Sequence, residues 1–207
     1  MKKIWIIIIV ALGVFCCLAS AAFVISLSTV TIKKPAVYLY PKEDMKINVQ
    51  LDINGMLIED IPKYNNGWNV FVTKEGIIEN QYDYLFYEAK LKKISLPNTG
   101  WVIEYENLHS WFEINLPKLG LNKKEKTQFM DYWLNELPYS KYYEIKLLTY
   151  DFLEDNMNLI INPEPDTLIR LNFAFKPIKK HKILEEPEIK EIKRTGFTVI
   201  EWGGLLV

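Results

Sequence analysis

The stretch that decides the fold is L108-HSWFEINLPKLGLNKKEKTQFMDYWLNELP-138. Leu108, Trp111, Phe112 and Leu116 recur at spacings of three and four, which predicts a helix closed near Pro117 and Gly120. Asn122 is placed to cap a second helix, whose apolar face is Phe129, Met130, Trp133, Leu134 and Leu137, and Pro138 stops it. The segments on either side follow a different period, so the helical hairpin is an insertion between two groups of strands.

Upstream, Met45, Ile47, Val49, Leu51 and Ile53 alternate with Lys46, Asn48, Gln50 and Asp52, the period of a strand with one buried face. AVYLY at 36–40, before Pro41, reads as a short buried strand, and Gly55 as a turn. Asn65-Asn66-Gly67 and Lys74-Glu75-Gly76 predict turns around a hairpin of Trp68–Val72 with Ile77 and Ile78. YDYLFYEA at 82–89 and WVIEYE at 101–106 read as further strands from their aromatic and β-branched content.

Downstream, strand patterns resume at Tyr143–Leu147, at 157–162 and at TLIRLNFAF, 167–175. The link Asn162-Pro163-Glu164-Pro165-Asp166 is extended and exposed, because each proline disfavours helix in its predecessor. Residues 179–194, rich in Lys and Glu, read as a solvated connection before a final strand in GFTVIEWGG. The order strands, two helices, strands defines an α+β class, a mainly antiparallel sheet with a helical hairpin on one face.

Ahead of this domain, Ile4 to Ile32 carries no charge, longer than the roughly 20 residues a spanning helix requires. The expectation is an N-terminal transmembrane helix in residues 1–32, single-pass, contacting the lipid bilayer through 4–32 and followed by one soluble domain, 33–207. Ala19-Ser20-Ala21 would suit signal cleavage, but the apolar run continues past it, which favours an uncleaved signal-anchor. A two-lysine N-terminal tail favours the domain on the extracytoplasmic side, although lysines flank both ends of the run. Both cysteines, Cys16 and Cys17, fall inside it, so the domain has no disulfide framework.

Removing residues 1–32 leaves 23 basic against 26 acidic groups, a net charge of −3. That balance argues against a phosphate-driven nucleic-acid binder. Ser95, Ser110, Ser140, His109 and His181 offer few partners for nucleophilic catalysis, and no G-x-S-x-G elbow occurs. No Walker loop, HExxH or CxxC is present, so no nucleotide, metal or other cofactor is expected.

Carboxylates are the catalytic groups in good supply. Glu88, Asp166 and Glu201 are the catalytic candidates, since a held pair of carboxylates is what glycoside hydrolysis requires. Arg170 stands inside an apolar strand in a chain whose only other arginine is Arg194, and is a binding candidate. Its alternatives are a buried pair with Asp166 or Glu201, which suits its planar fork, and exposure on an open sheet face. Trp202 and Tyr84 complete the binding candidates, because such rings stack on sugars or serve recognition surfaces.

Taken together, KPAVYLYP (34–41), PKYNNGW (62–68), YDYLFYE (82–88), LGLNKKE (119–125), PEPDTLIRL (163–171) and GFTVIEWGG (196–204) resemble a family of uncharacterised, mostly microbial proteins built around KPxxYLYP, YLFWE-like, LGLN and EWGG motifs. Tyr87 departs from the tryptophan frequent in that pattern. The resemblance implies one domain over 34–204 and no particular activity. The resulting expectation is a membrane-anchored binding or structural module, whose partner is a cell-envelope glycan or another membrane protein. The alternative is a carboxylate-dependent hydrolase of envelope glycans.

Overall fold

A computed structural model describes residues 30–207. The apolar run assigned to a transmembrane helix lies, up to residue 29, outside the described residues. Among those described, no helix is long and apolar enough to cross a membrane. Val30, Thr31 and Ile32 correct the expected boundary: they belong to the first strand, pairing with Leu91, Lys90 and Ala89, and Ile32 is fully buried.

The strands are β1 (Val30–Tyr40), β2 (Met45–Ile53), β3 (Gly55–Ile61), β4 (Trp68–Val72), β5 (Leu85–Leu91), β6 (Trp101–Glu104), β7 (Tyr142–Leu147), β8 (Asn158–Asn162), β9 (Thr167–Ile178) and β10 (Thr198–Leu206). The helices are α1 (Leu108–Lys118), α2 (Lys123–Glu136) and α3 (Tyr150–Met157). A seven-stranded sheet has the order β3-β5-β1-β10-β9-β7-β6, and a three-stranded sheet the order β4-β2-β8. Every pairing is antiparallel except β9 with β10, which is parallel.

The large sheet is apolar on both faces because it is covered on both. In β1, Ala36 and Tyr38 join the core under the helices, whereas Val37 and Leu39 join the core shared with the small sheet. The helix-side core is aromatic, built from Phe112, Phe129, Trp133, Phe173, Phe175 and Trp202. Phe129 meets Phe173 and Trp202 edge-on, 5.4 Å from each, as ring quadrupoles favour, and Phe173 and Phe175 stack at 5.9 Å. The opposite core combines Ile47, Val49, Trp68 and Val70 of the small sheet with Tyr87, Val199 and Leu205 of the large one.

The helical hairpin follows its sequence signals. Leu108, Phe112 and Leu116 are the buried stripe of α1. The Asn122 side chain accepts from the Glu125 N–H, and the Glu125 carboxylate accepts from the Asn122 N–H, a complete capping box that starts α2.

Other elements depart from expectation. β4 pairs with β2, whereas Ile78 makes only isolated bridges to Val72 and Tyr82, so the expected Trp68–Ile78 hairpin is not formed as a two-stranded ladder. β3 was hidden because Gly55 reads as a turn and MLIEDI carries no clean period. α3 was hidden by its length, although Thr149 caps it by accepting from the Phe152 N–H. β5 starts at Leu85 rather than 82, which leaves Tyr82, Asp83 and Tyr84 in the loop leading into it.

Candidate functional site

β1 does not run straight through the sheet. Its register shifts between Lys33 and Ala36 against β10, and between Ile32 and Ala36 against β5. Lys34 takes up the bulge with φ +57°, a left-handed conformation that costs a side-chain-bearing residue on the order of 1 kcal/mol.

The bulge sets the Lys34 ammonium over aromatic rings. Nζ lies 4.9 Å from the Tyr84 centroid, 4.7 Å from Phe86 and 5.7 Å from Tyr132 of α2, and it donates to Tyr84 Oη at 2.9 Å. The Lys34 N–H donates to Glu88 Oε1 at 3.3 Å. Among the described residues no carboxylate pairs with this ammonium. Its charge is held in place by rings and a phenol alone.

Beside Lys34 opens a cleft of about 510 Å³. Tyr82, Tyr84, Phe86 and Ile61 give it an apolar wall, and Gln81, Asp83, Gln128 and Glu59 a polar one. Asp83 accepts from Lys124 Nζ at 2.6 Å and from Gln128 Nε2 at 3.1 Å, and Gln128 Oε1 accepts from Tyr38 Oη at 2.6 Å. The Lys124 ammonium holds Asp83 below the usual carboxylate range, so it stays ionised. Burial, reinforced by Tyr84, pushes the Tyr38 hydroxyl far up, so it remains a donor.

Glu88 behaves in the opposite way. Partial burial raises its pKa, the Lys34 N–H works against this, and the neighbouring Glu59 and Glu136 carboxylates raise it further. Glu59 is its register partner across β3 and β5, and Glu136 is itself paired with Lys33.

The remaining candidates occupy separate settings. Glu201 is fully buried toward the small sheet, where Oε1 accepts from Tyr87 Oη at 2.6 Å. Its Oε2 accepts from Arg170 Nε at 2.7 Å and Asn172 Nδ2 at 3.0 Å. Arg170 also donates to the Met157 carbonyl at 2.6 Å. Asp166 is half-exposed, paired with Lys42 at 3.0 Å and accepting from the Phe197 N–H at 2.7 Å. Trp202 is fully buried against Phe129 and Tyr38 in the helix-side core. The structure therefore brings Glu201 to Arg170 and Tyr84 to the neighbourhood of Glu88, and keeps those two groups on opposite faces of the sheet.

Sequence reasoning missed Lys34, Asp83, Gln128 and Glu59. Lys34 had one available signal, its position just before a proline in a strand. Asp83 and Gln128 had none, because they meet across 45 residues of chain.

What fold and site define is an α+β domain with an aromatic, amide-lined cleft and a lysine held at its rim. No family model matches the chain, and no solved structure matches it. Part of the chain is 52% identical, over 62 residues, to the uncharacterized protein in bglA 3'region of Butyrivibrio fibrisolvens. That alignment covers 27% of this chain and 65% of the relative, so the chain spans less than two thirds of that protein. The relative's name states no activity. No group of three or more His, Cys, Asp and Glu side chains among the described residues is arranged to hold a metal ion.

Proposed function

We propose that this is a single-pass membrane protein whose extracytoplasmic domain is a binding module, taking a glycan with acidic sugar residues into the cleft beside Lys34. The observation that carries the reading is the Lys34 ammonium, which a left-handed backbone turns onto rings and which forms no ion pair among the described residues. An acidic sugar would supply that counter-charge. Asp83, Gln81 and Gln128 would meet hydroxyls, and the apolar ring surfaces of the cleft the sugar's C–H faces. The uncharged run in residues 4–29 supports the tether. The motifs quoted above support membership of a wider group of microbial proteins that share them.

Calorimetric titration of the full chain in detergent with uronate oligosaccharides and with neutral ones of equal length tests the cleft. The acidic series binds more tightly, and Lys34→Ala lowers that affinity by about tenfold or more, as expected for a lost hydrogen bond to a charged group. Equal affinity for the two series, or none for either, overturns the reading. Protease treatment of intact cells tests sidedness, and a domain protected until lysis overturns the external placement.

The carboxylate-hydrolase alternative has one observation in its favour, the raised pKa of Glu88 beside Glu59 at the edge of this cleft. Asp166 and Glu201 do not share that setting. Release of reducing ends from an acidic polysaccharide, abolished by Glu88→Gln and by Glu59→Gln, would favour hydrolysis over binding.

A further inference from the structure

The strand directions place many chain ends on one rim of the large sheet. β1 begins there at Val30, opposite Leu91 at the end of β5, and Gly55 at the start of β3 pairs with the same Leu91. β10 ends there, with Leu206 beside Phe175 near the end of β9, and β7 starts there with Tyr142 opposite Ile178. The chain therefore passes from its uncharged N-terminal run into the domain at this rim and at no other.

The rim has the composition of a surface facing anionic headgroups. Lys90, Lys92 and Lys93 project at the end of β5, and Lys176, Lys179 and Lys180 at and beyond the end of β9, all exposed. Exposed apolar side chains accompany them: Met56 at 57%, Leu206 at 39% and Val207 at 46%. Exposed carboxylates along the same edge include Glu104 at the end of β6 and Glu106 just beyond it. For a domain of net charge −3 this gathers lysine where the tether enters.

We infer that this rim is a docking surface for anionic phospholipid headgroups, which fixes the orientation of the domain on the bilayer that anchors it. Lysines close to an anionic membrane gain about fivefold in binding each. The tether already supplies a high local concentration, so a few of them suffice to keep the rim down. Docking holds the Lys34 cleft, which lies on the helix-side face of the sheet rather than at this rim, clear of the lipid. The inference rests on the membrane reading above, because it takes the bilayer to be where residues 4–29 lead.

Hydrogen exchange on the full chain in nanodiscs tests it, comparing phosphatidylcholine alone with a mixture containing phosphatidylglycerol. Amides at 92–93 and 179–183 exchange several-fold more slowly on the anionic discs, whereas those at 190–193, in the same strap but away from the rim, do not change. Protection is lost at about 1 M salt, where the screening length is near 3 Å. It is also lost in the combined variant K90E/K92E/K93E, whose exposed positions leave the thermal midpoint in place.

Equal exchange on both kinds of disc in a chain that resists alkaline extraction overturns the docking surface and leaves the anchor standing. A chain that alkali extracts but that still co-sediments with anionic vesicles overturns the anchor and leaves the docking surface standing.

Discussion

Arg170 and Glu201 are register partners on adjacent parallel strands, and their side chains meet at 2.7 Å with 1% and 0% exposure. Burial works against the guanidinium charge, but the Glu201 carboxylate more than offsets this and holds Arg170 above its ordinary pKa. Removing one partner leaves a charge in the core. Arg170→Met is expected to lose about 3–5 kcal/mol in urea denaturation. The double variant Arg170→Met/Glu201→Leu recovers a large part of that. A single variant that loses under about 1 kcal/mol would show that the pair is not held as ions.

Gly203 and Gly204 end the EWGG segment because neighbours fill the space a side chain needs. A Cβ on Gly204 would sit 2.5 Å from the Phe173 carbonyl oxygen and 2.8 Å from Trp133 Cζ2. Neither the backbone of β9 nor the indole at the core centre can withdraw. Gly204→Ala is expected to cost about 1–3 kcal/mol, read as a lowered thermal midpoint. A midpoint unchanged within error would mean that α2 shifts freely over the sheet.

Glu125 is fully buried and accepts from Asn122, through both the N–H that starts α2 and the side-chain amide, and from the Arg194 guanidinium, whose Nη1 lies 3.0 Å from Oε1. Arg194 also donates to the Gly120 carbonyl at 2.7 Å, tying the strap before β10 to the interhelical turn. Glu125→Gln keeps the cap acceptor but loses the ion pair. It is expected to cost less than Glu125→Ala, which loses both, at about 2–4 kcal/mol. Proteolysis within 179–194 should speed up in both variants, and equal rates in variant and parent would exclude the tie.

Glu88 carries a raised pKa, so in the folded protein it binds its proton more tightly than in the unfolded chain. The associated stability is present below the ordinary carboxylate pKa and is lost as pH rises through the raised value. Glu88→Gln removes that loss. The variant should equal the parent in stability at pH 4 and exceed it at pH 7, read from urea denaturation at the two pH values. A variant less stable at pH 7 would mean that the Lys34 contacts outweigh the repulsion from Glu59 and Glu136.

The helical hairpin, its Asn122 cap and the strands read at 45–53, 143–147 and 167–175 were legible in the sequence, because each rests on a period or a cap set by near neighbours. The Arg170–Glu201 pair was half-legible: an arginine in an apolar strand needs a partner, and Glu201 was one of two considered. Which carboxylate it took depended on β9 and β10 lying parallel and in register, a relationship between segments about 30 residues apart.

The cleft was not legible. Lys34 reaches its place through a bulge that only a pairing mismatch between β1 and two different neighbours creates, and Asp83 and Gln128 meet because α2 lies against the loop leading into β5. Neither leaves a local pattern. The sequence by itself determined the α+β class, the uncharged N-terminal run and the buried faces, since periodicity and charge act over a few residues. Tertiary structure decided the parallel pair, the second sheet, the cleft and the lysine-rich rim, since each depends on which strands become neighbours.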